Sequence, residues 1–251
     1  MSVAACAELV RRGDPDRFLA VMAAPPEARV QLFPLYAFNL EVARAPWVAQ
    51  EPMIAEMRLQ WWRDVVENAS SGAARAHEVA GPLHDLIRDF GLPVDVLDAL
   101  IAARRWDITR EPHAGIEGLT AYLDDTGGGL MWLAGRALGA PDAAEHSLRA
   151  FGWAAAAASY LQAVPELEAR GRQPLPHGTS AEELARLALV KLATARQARP
   201  LVPKEIAPAF LAGWQTKSLL RQVIATGRCD VRLSEFQRRW RLLWQATTGR
   251  W

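Results

Sequence analysis

The sequence predicts an all-α fold, with many helices packed around a central cavity or core. Three observations carry this. The chain is rich in Ala, Leu, Arg and Glu, with few β-branched runs. Apolar residues recur at spacings of three and four almost everywhere. No pair of strands joined by a tight turn is visible, and no repeat of fixed period. No Gly-, Ser- or Pro-rich linker divides the 251 residues, so one domain is expected over 1–251.

The elements follow in order. Asp14-Pro15 predicts an N-cap with proline at the first helical position, opening DRFLAVMAA. Pro25-Pro26 opens a longer helix through Val30, Phe33, Ala37, Leu40 and Arg44; Pro34 should kink it and Pro46 should stop it. A third helix is expected from Pro52 to Ser70, with Met53, Met57, Trp61 and Val65 on one face. PVDVLDALIAARRWDITR, at 93–110, predicts a single helix. Gly118 to Leu138 is expected to be helical in spite of Gly127-Gly128-Gly129, and Pro141 is expected to open an Ala-rich helix. GRQPLPHG at 171–178 predicts a loop. Three shorter helices are expected near 181–198, 204–225 and 234–247.

The totals exclude several functions. The formal net charge is +1, which argues against a nucleic-acid binder. Cys6 and Cys229 are the two cysteines, with no CxxC, so a disulfide scaffold or structural zinc site is not expected. The N-terminus lacks a basic start followed by a long apolar run, so no secretory signal is expected. The most apolar window, AFGWAAAAASYLQAV at 150–164, is shorter than the about 20 residues of a bilayer span and reads as a buried core helix. A cytoplasmic protein, peripheral to the inner membrane at most, is expected.

Few constellations suggest chemistry. Asp85 and Asp89 share a helix face at i,i+4, but one metal needs several oxygen ligands and no partner motif is visible; a solvated face is expected. Asp124-Asp125 precedes Thr126 and three glycines, and a surface pair followed by a packing kink is favoured over a polar rim above a pocket. No strand, Lys or Walker spacing makes the glycines a phosphate loop. The five histidines form no ligand pattern and are expected in surface or cap roles. Ser159 and Ser218 lie in no nucleophile elbow. Ten tryptophans are many for this length. Trp240, Trp244 and Trp251 interleave with Arg238, Arg239, Arg241 and Arg250, so residues 234–251 are a candidate contact for an anionic membrane surface or a partner protein. The competing reading is tryptophans filling the core while arginines snorkel.

An ordered set of fragments resembles the squalene/phytoene synthase family. YAFNLEVAR at 36–44 is similar to its first motif, and MRLQWWRD at 57–64 to the segment that follows. AYLDDTGGGLMWLAG at 121–135 resembles its Tyr-led mid-chain helix, which lines a prenyl cavity. FGWAAAAASYLQAVPELEARGRQPLP at 151–176 resembles its second motif with the trailing loop, and PLVPKEIAPAFLAGW at 200–214 a later helix. The resemblance implies an isoprenoid-synthase-like bundle.

In active members two acidic motifs on facing helices hold Mg²⁺ against a prenyl diphosphate, and the cations neutralise the leaving group. Laid from Tyr36, the first motif's acids fall on Ala43, Arg44 and Trp47. Laid on Leu161, the second motif's Arg becomes Gln162, and its acids become Ala163 and Leu167. Glu41 and Glu166 are the lone acids nearby. The resemblance therefore implies a non-catalytic member of the fold, with no catalytic residues and no cofactor. Its cavity or former diphosphate site would comprise Tyr36, Asn39, Glu41, Arg44, Tyr122, Gly128, Gln162, Glu166 and Arg172. The YAFN and RLQWW segments look most like the branch that includes a mitochondrial respiratory complex I assembly factor. This implies respiratory-complex subunits as partners and an isoprenoid or lipid as ligand. The alternative is a prenyltransferase with an altered Mg²⁺ site, in which Asp85, Asp89, Asp124 or Asp125 substitutes.

Overall fold

A computed structural model describes residues 2–49, 51–69, 72–109 and 111–251. No strand occurs among them. Ser70 and Arg110, the expected ends of two helices, lie outside the described residues. Helices α1 (Val3–Gly13) and α2 (Pro15–Met22) meet at Asp14, whose carboxylate accepts the Arg17 amide at 2.9 Å, with Pro15 at the first helical position. α3 (Pro26–Val48) is opened by Pro25-Pro26 as expected, but it runs through both internal prolines. Pro34 deprives the Val30 carbonyl of its helical donor, and Val30 is exposed, so water can take that place. Pro46 falls in the last turn, where little helix remains to be lost.

α4 (Pro52–Asn68) buries Ala55, Leu59, Trp62, Val65 and Val66. Of the residues expected on one face, Val65 is buried, whereas Met53 and Met57 are exposed. The stripe of Ala55, Leu59, Trp62 and Val66 also has helical spacing, and tertiary packing selects it. α5 (Ala80–Phe90) and α6 (Val94–Ala103) follow. The expected helix over 93–110 is two: α6 ends near Arg104, and a single turn, α7 (Trp106–Thr109), follows it.

α8 (Gly115–Leu123) passes through a π-helical turn, Asp124–Gly128, into α9 (Gly129–Ala137), so the glycine run stays helical. The long α10 (Glu145–Ala169) packs on this turn, on α9 and on α11 (Ala181–Gln197). Two glycines set that approach. A Cβ on Gly127 would lie 2.2 Å from the Ala156 Cβ, and one on Gly152 would lie 2.3 Å from the Gly127 oxygen. The segment expected as one helix over 204–225 is broken into 3-10 turns, the short α12 (Ala207–Phe210) and α13 (Thr216–Thr226). α14 (Glu235–Thr248) is opened by a capping box of Ser234 and Gln237. One buried apolar cluster extends from Cys6 to Trp251.

Candidate functional site

A cavity of about 470 Å³ lies between α3, the α8–α9 segment and α10. That volume is in the range of pockets that hold small organic ligands. α3 contributes Tyr36, Asn39, Ala43 and Trp47, spaced by three or four residues along one face. α10 contributes Gly152, Ala155, Ala156, Ser159, Ala163 and Leu167 with the same periodicity. Most of these are small, and the space exists because of it. Leu123, Leu130 and Met131 make a further apolar wall.

The polar part of the wall is a buried network. Arg104 Nη1 donates to Tyr122 Oη at 2.7 Å, and Tyr122 Oη donates to Asp107 Oδ2 at 3.1 Å. Arg104 Nη1 lies 3.5 Å from the same carboxylate oxygen. Burial pushes the Asp107 carboxyl above its ordinary range, and the nearby Arg104 guanidinium offsets part of that. Burial also raises Tyr122, and it pushes Tyr36 up to about 12, so both phenols stay protonated near neutrality. The Asn39 Oδ1 and Arg104 Nε atoms are buried without a hydrogen-bond partner. An unmatched acceptor and an unmatched donor are thus available on two residues of the wall.

Behind the network lies an aromatic cluster. Trp106 and His113 stack with centroids 3.9 Å apart and planes within 9°. Tyr160 Oη donates to the Pro174 carbonyl at 2.7 Å, so the His113 Nε2 atom 3.2 Å from that oxygen is its donor. Burial lowers His113 to about 4, and the ring is neutral at neutral pH. The loop after α10 closes over this cluster. Arg172 donates to the Asp107 carbonyl and lies on the faces of Trp47 and Trp106, at 4.6 and 5.6 Å from the ring centroids.

Of the nine residues assigned to the site by resemblance, Tyr36, Asn39, Tyr122 and Glu166 line the cavity. Five do not. Glu41 and Arg44 point elsewhere on α3, 4.0 Å from each other, with Arg44 largely exposed. Gly128 packs against Asp124 and the α10 backbone. Gln162 is turned to the Val231 carbonyl at 2.9 Å. Arg172 is buried between the two tryptophans. Sequence reasoning missed Arg104, Asp107, Trp106, His113 and Tyr160. The available signal was an acid inside the otherwise apolar and basic stretch AARRWDITR. His84 and His113, expected at the surface or in caps, are buried, while His77 caps α5 through its Nδ1.

The positions onto which the metal-binding acids were laid can now be placed. Ala43 and Trp47 of α3 and Ala163 and Leu167 of α10 all line the cavity, and Arg44 does not. Trp47 is roofed by Arg170 and Arg172. The carboxylates at the wall are Asp107, bonded to Tyr122 beside Arg104, and Glu166, 2.5 Å from Arg170. The four substitutes fare no better. Asp85 and Asp89 are exposed beside Arg88 on α5, the solvated face that was expected, and Asp124 lies 3.4 Å from Arg149. None of these four lines the cavity. Among the described residues no group of three His, Cys, Asp or Glu side chains is placed to hold a metal ion. Mg²⁺ prefers several oxygen ligands in octahedral array, and this donor set does not fit it.

Known proteins agree with this architecture. The squalene/phytoene synthase family model matches residues 10–183. A dehydrosqualene synthase crystallised with a ligand superposes with a TM-score of 0.79 at 14% identity, covering 98% of this chain and 95% of that one. Squalene synthase HpnC from Alicyclobacillus acidocaldarius gives 0.76 at 18% identity, covering 90% and 94%. In sequence, the chain is similar to NADH dehydrogenase (ubiquinone) complex I, assembly factor 6. The Bos taurus protein is 28% identical over 241 residues, covering 87% of this chain and 72% of the relative. The Homo sapiens protein is 27% identical over the same span. The Drosophila melanogaster homolog is 29% identical over 253 residues, covering 87% and 74%. The chain belongs to the squalene/phytoene synthase family.

Proposed function

We propose that this chain is a non-catalytic squalene/phytoene synthase-like protein that helps to assemble respiratory complex I, and that its cavity holds an isoprenoid or other lipid chain. One observation carries the non-catalytic reading. The cavity positions where active relatives would be expected to place their metal-binding acids hold Ala43, Trp47, Ala163 and Leu167. Ionising a prenyl diphosphate without divalent cations leaves the departing charge unneutralised. The similarity to proteins named as complex I assembly factors supports the helper role and complex I subunits as partners. The apolar wall and volume suit an alkyl or prenyl chain, with Tyr36, Asn39 and the Arg104–Tyr122 pair facing its polar end.

Two measurements test this. Pyrophosphate release is followed from farnesyl and geranylgeranyl diphosphates with Mg²⁺ or Mn²⁺, beside an active synthase. No release above the chelator control is expected, and metal-dependent turnover overturns the reading. Complex I activity is then measured in membranes of cells lacking the protein. A loss restored by the wild-type chain is expected; unchanged activity refutes the helper role.

A further inference from the structure

A second depression, of about 610 Å³, lies outside the prenyl-type cavity, between α14, the end of α11 and the start of α13. Its cations are Arg196, Arg199, Lys217, Arg241 and Arg250, and no carboxylate side chain lines it. Among the described residues Lys217, Arg241 and Arg250 have no ion-pair partner within 4 Å. Arg196 and Arg199 are held in place through backbone oxygens, donating to the Trp251 and Gly249 carbonyls at 2.9 and 3.0 Å. The floor is aromatic: Trp251 stacks on Phe210 with centroids 3.9 Å apart. Burial and the neighbouring Arg221, Arg196 and Arg241 lower the Lys217 ammonium. The whole chain carries only +1, so this cluster is local.

α14 explains what covers it. The helix is docked by one narrow face, through Leu242 and Gln245, whose Nε2 donates to the Phe210 carbonyl at 2.9 Å. The opposite face carries Phe236, Trp240, Leu243 and Trp244, at spacings that place them in one stripe. All four are exposed, Phe236 at 77% and Trp240 at 58%. Arg239 and Arg241 flank the stripe on its two sides. No helix is long and apolar enough to cross a membrane among the described residues. An apolar stripe bearing Trp and Phe, edged by cations, has the composition of a helix that lies in a bilayer interface.

We propose that α14 and the cationic groove beside it form a docking surface for an anionic phospholipid bilayer. Phe236, Trp240, Leu243 and Trp244 enter the interface, and Lys217, Arg241 and Arg250 meet lipid phosphates. This goes beyond the proposed function, since it concerns a different face and needs no ligand in the cavity.

The test is co-sedimentation of the whole chain with vesicles of phosphatidylcholine alone, or of phosphatidylcholine mixed with phosphatidylglycerol, at low and high salt. Binding to the anionic vesicles, weakened by salt, is expected. The double variant Arg241→Gln, Arg250→Gln should lower partitioning about 30-fold. Phe236→Ser with Trp240→Ser should lower it about tenfold or more. These four side chains are exposed, and an unchanged melting temperature verifies that the variants fold. Arg88→Gln, on α5, removes a charge elsewhere and should bind as the wild type does. Equal binding to neutral vesicles, wild-type binding by the arginine variant, or no binding to anionic vesicles would each overturn the proposal. Retention of soluble polyglutamate without vesicle binding would also overturn it, and would assign the groove to an acidic protein.

Discussion

Removing either member of the Arg104–Asp107 pair should be at least as damaging as removing both. The nearest N–O separation is 3.5 Å; the Asp107 side chain is buried and that of Arg104 is largely so, 16% exposed. With an effective dielectric of about 20, the attraction is about 5 kcal/mol. Desolvation of the two ions offsets much of that, so the intact pair contributes little net stability. Arg104→Met removes the attraction but leaves Asp107 desolvated, with the Tyr122 hydroxyl and the nearby Arg172 charge as its remaining side-chain partners. Asp107→Leu leaves the guanidinium with Tyr122. Each single change should cost about 3–5 kcal/mol, a large part of a typical domain stability of about 5–15 kcal/mol. The double variant should be no worse than either single one. Urea unfolding of the four proteins gives the coupling energy, which should be at least about 3 kcal/mol. Single costs below about 1 kcal/mol that add to within about 0.5 kcal/mol would show that the network is not an interacting unit.

Other expectations follow from the same structure. Gly152→Ala adds a Cβ 2.4 Å from the Met131 Cβ and 2.3 Å from the Gly127 oxygen, and should cost about 2–3 kcal/mol in urea unfolding because helix backbones would have to separate. His113 has a folded pKa of about 4, below its ordinary 6.5. The unfolded chain therefore binds the extra proton first, and stability falls as pH drops from about 6.5 towards 4, by up to about 3 kcal/mol. His113→Phe should flatten that part of the stability–pH curve while keeping the stack on Trp106; an unchanged slope would mean another group is responsible. Ser159→Trp places a large ring in the cavity at a residue exposed to it. Binding of a fluorescent prenyl probe should fall by about tenfold or more with little change in melting temperature, and undiminished binding would place the ligand elsewhere.

The helical class and most element boundaries were legible because they depend on local chemistry. Asp14-Pro15, Pro25-Pro26 and the loop at 171–178 act on the backbone within a turn of themselves, and the fold follows them. Where local rules failed, packing had overruled them. α3 continues through Pro34, and α4 turns Leu59 and Trp62 inward instead of Met53 and Met57. The periodicity of three and four is present on more than one face, and only a neighbour decides which face is covered. The site divides in the same way. Tyr36, Asn39, Ala43 and Trp47 fall on one helical face and could be grouped by spacing alone. Arg104, Asp107 and Tyr122 could not, since 15–18 residues and a change of helix separate Tyr122 from the other two. The composition and period of residues 234–251 determined that α14 would be basic, aromatic and amphipathic. Tertiary structure decided that the face bearing Leu242 and Gln245 is buried and the face bearing Phe236 and Trp240 is bare, because that first face meets the Phe210 carbonyl through Gln245 and Asp16 of α2 through Arg238.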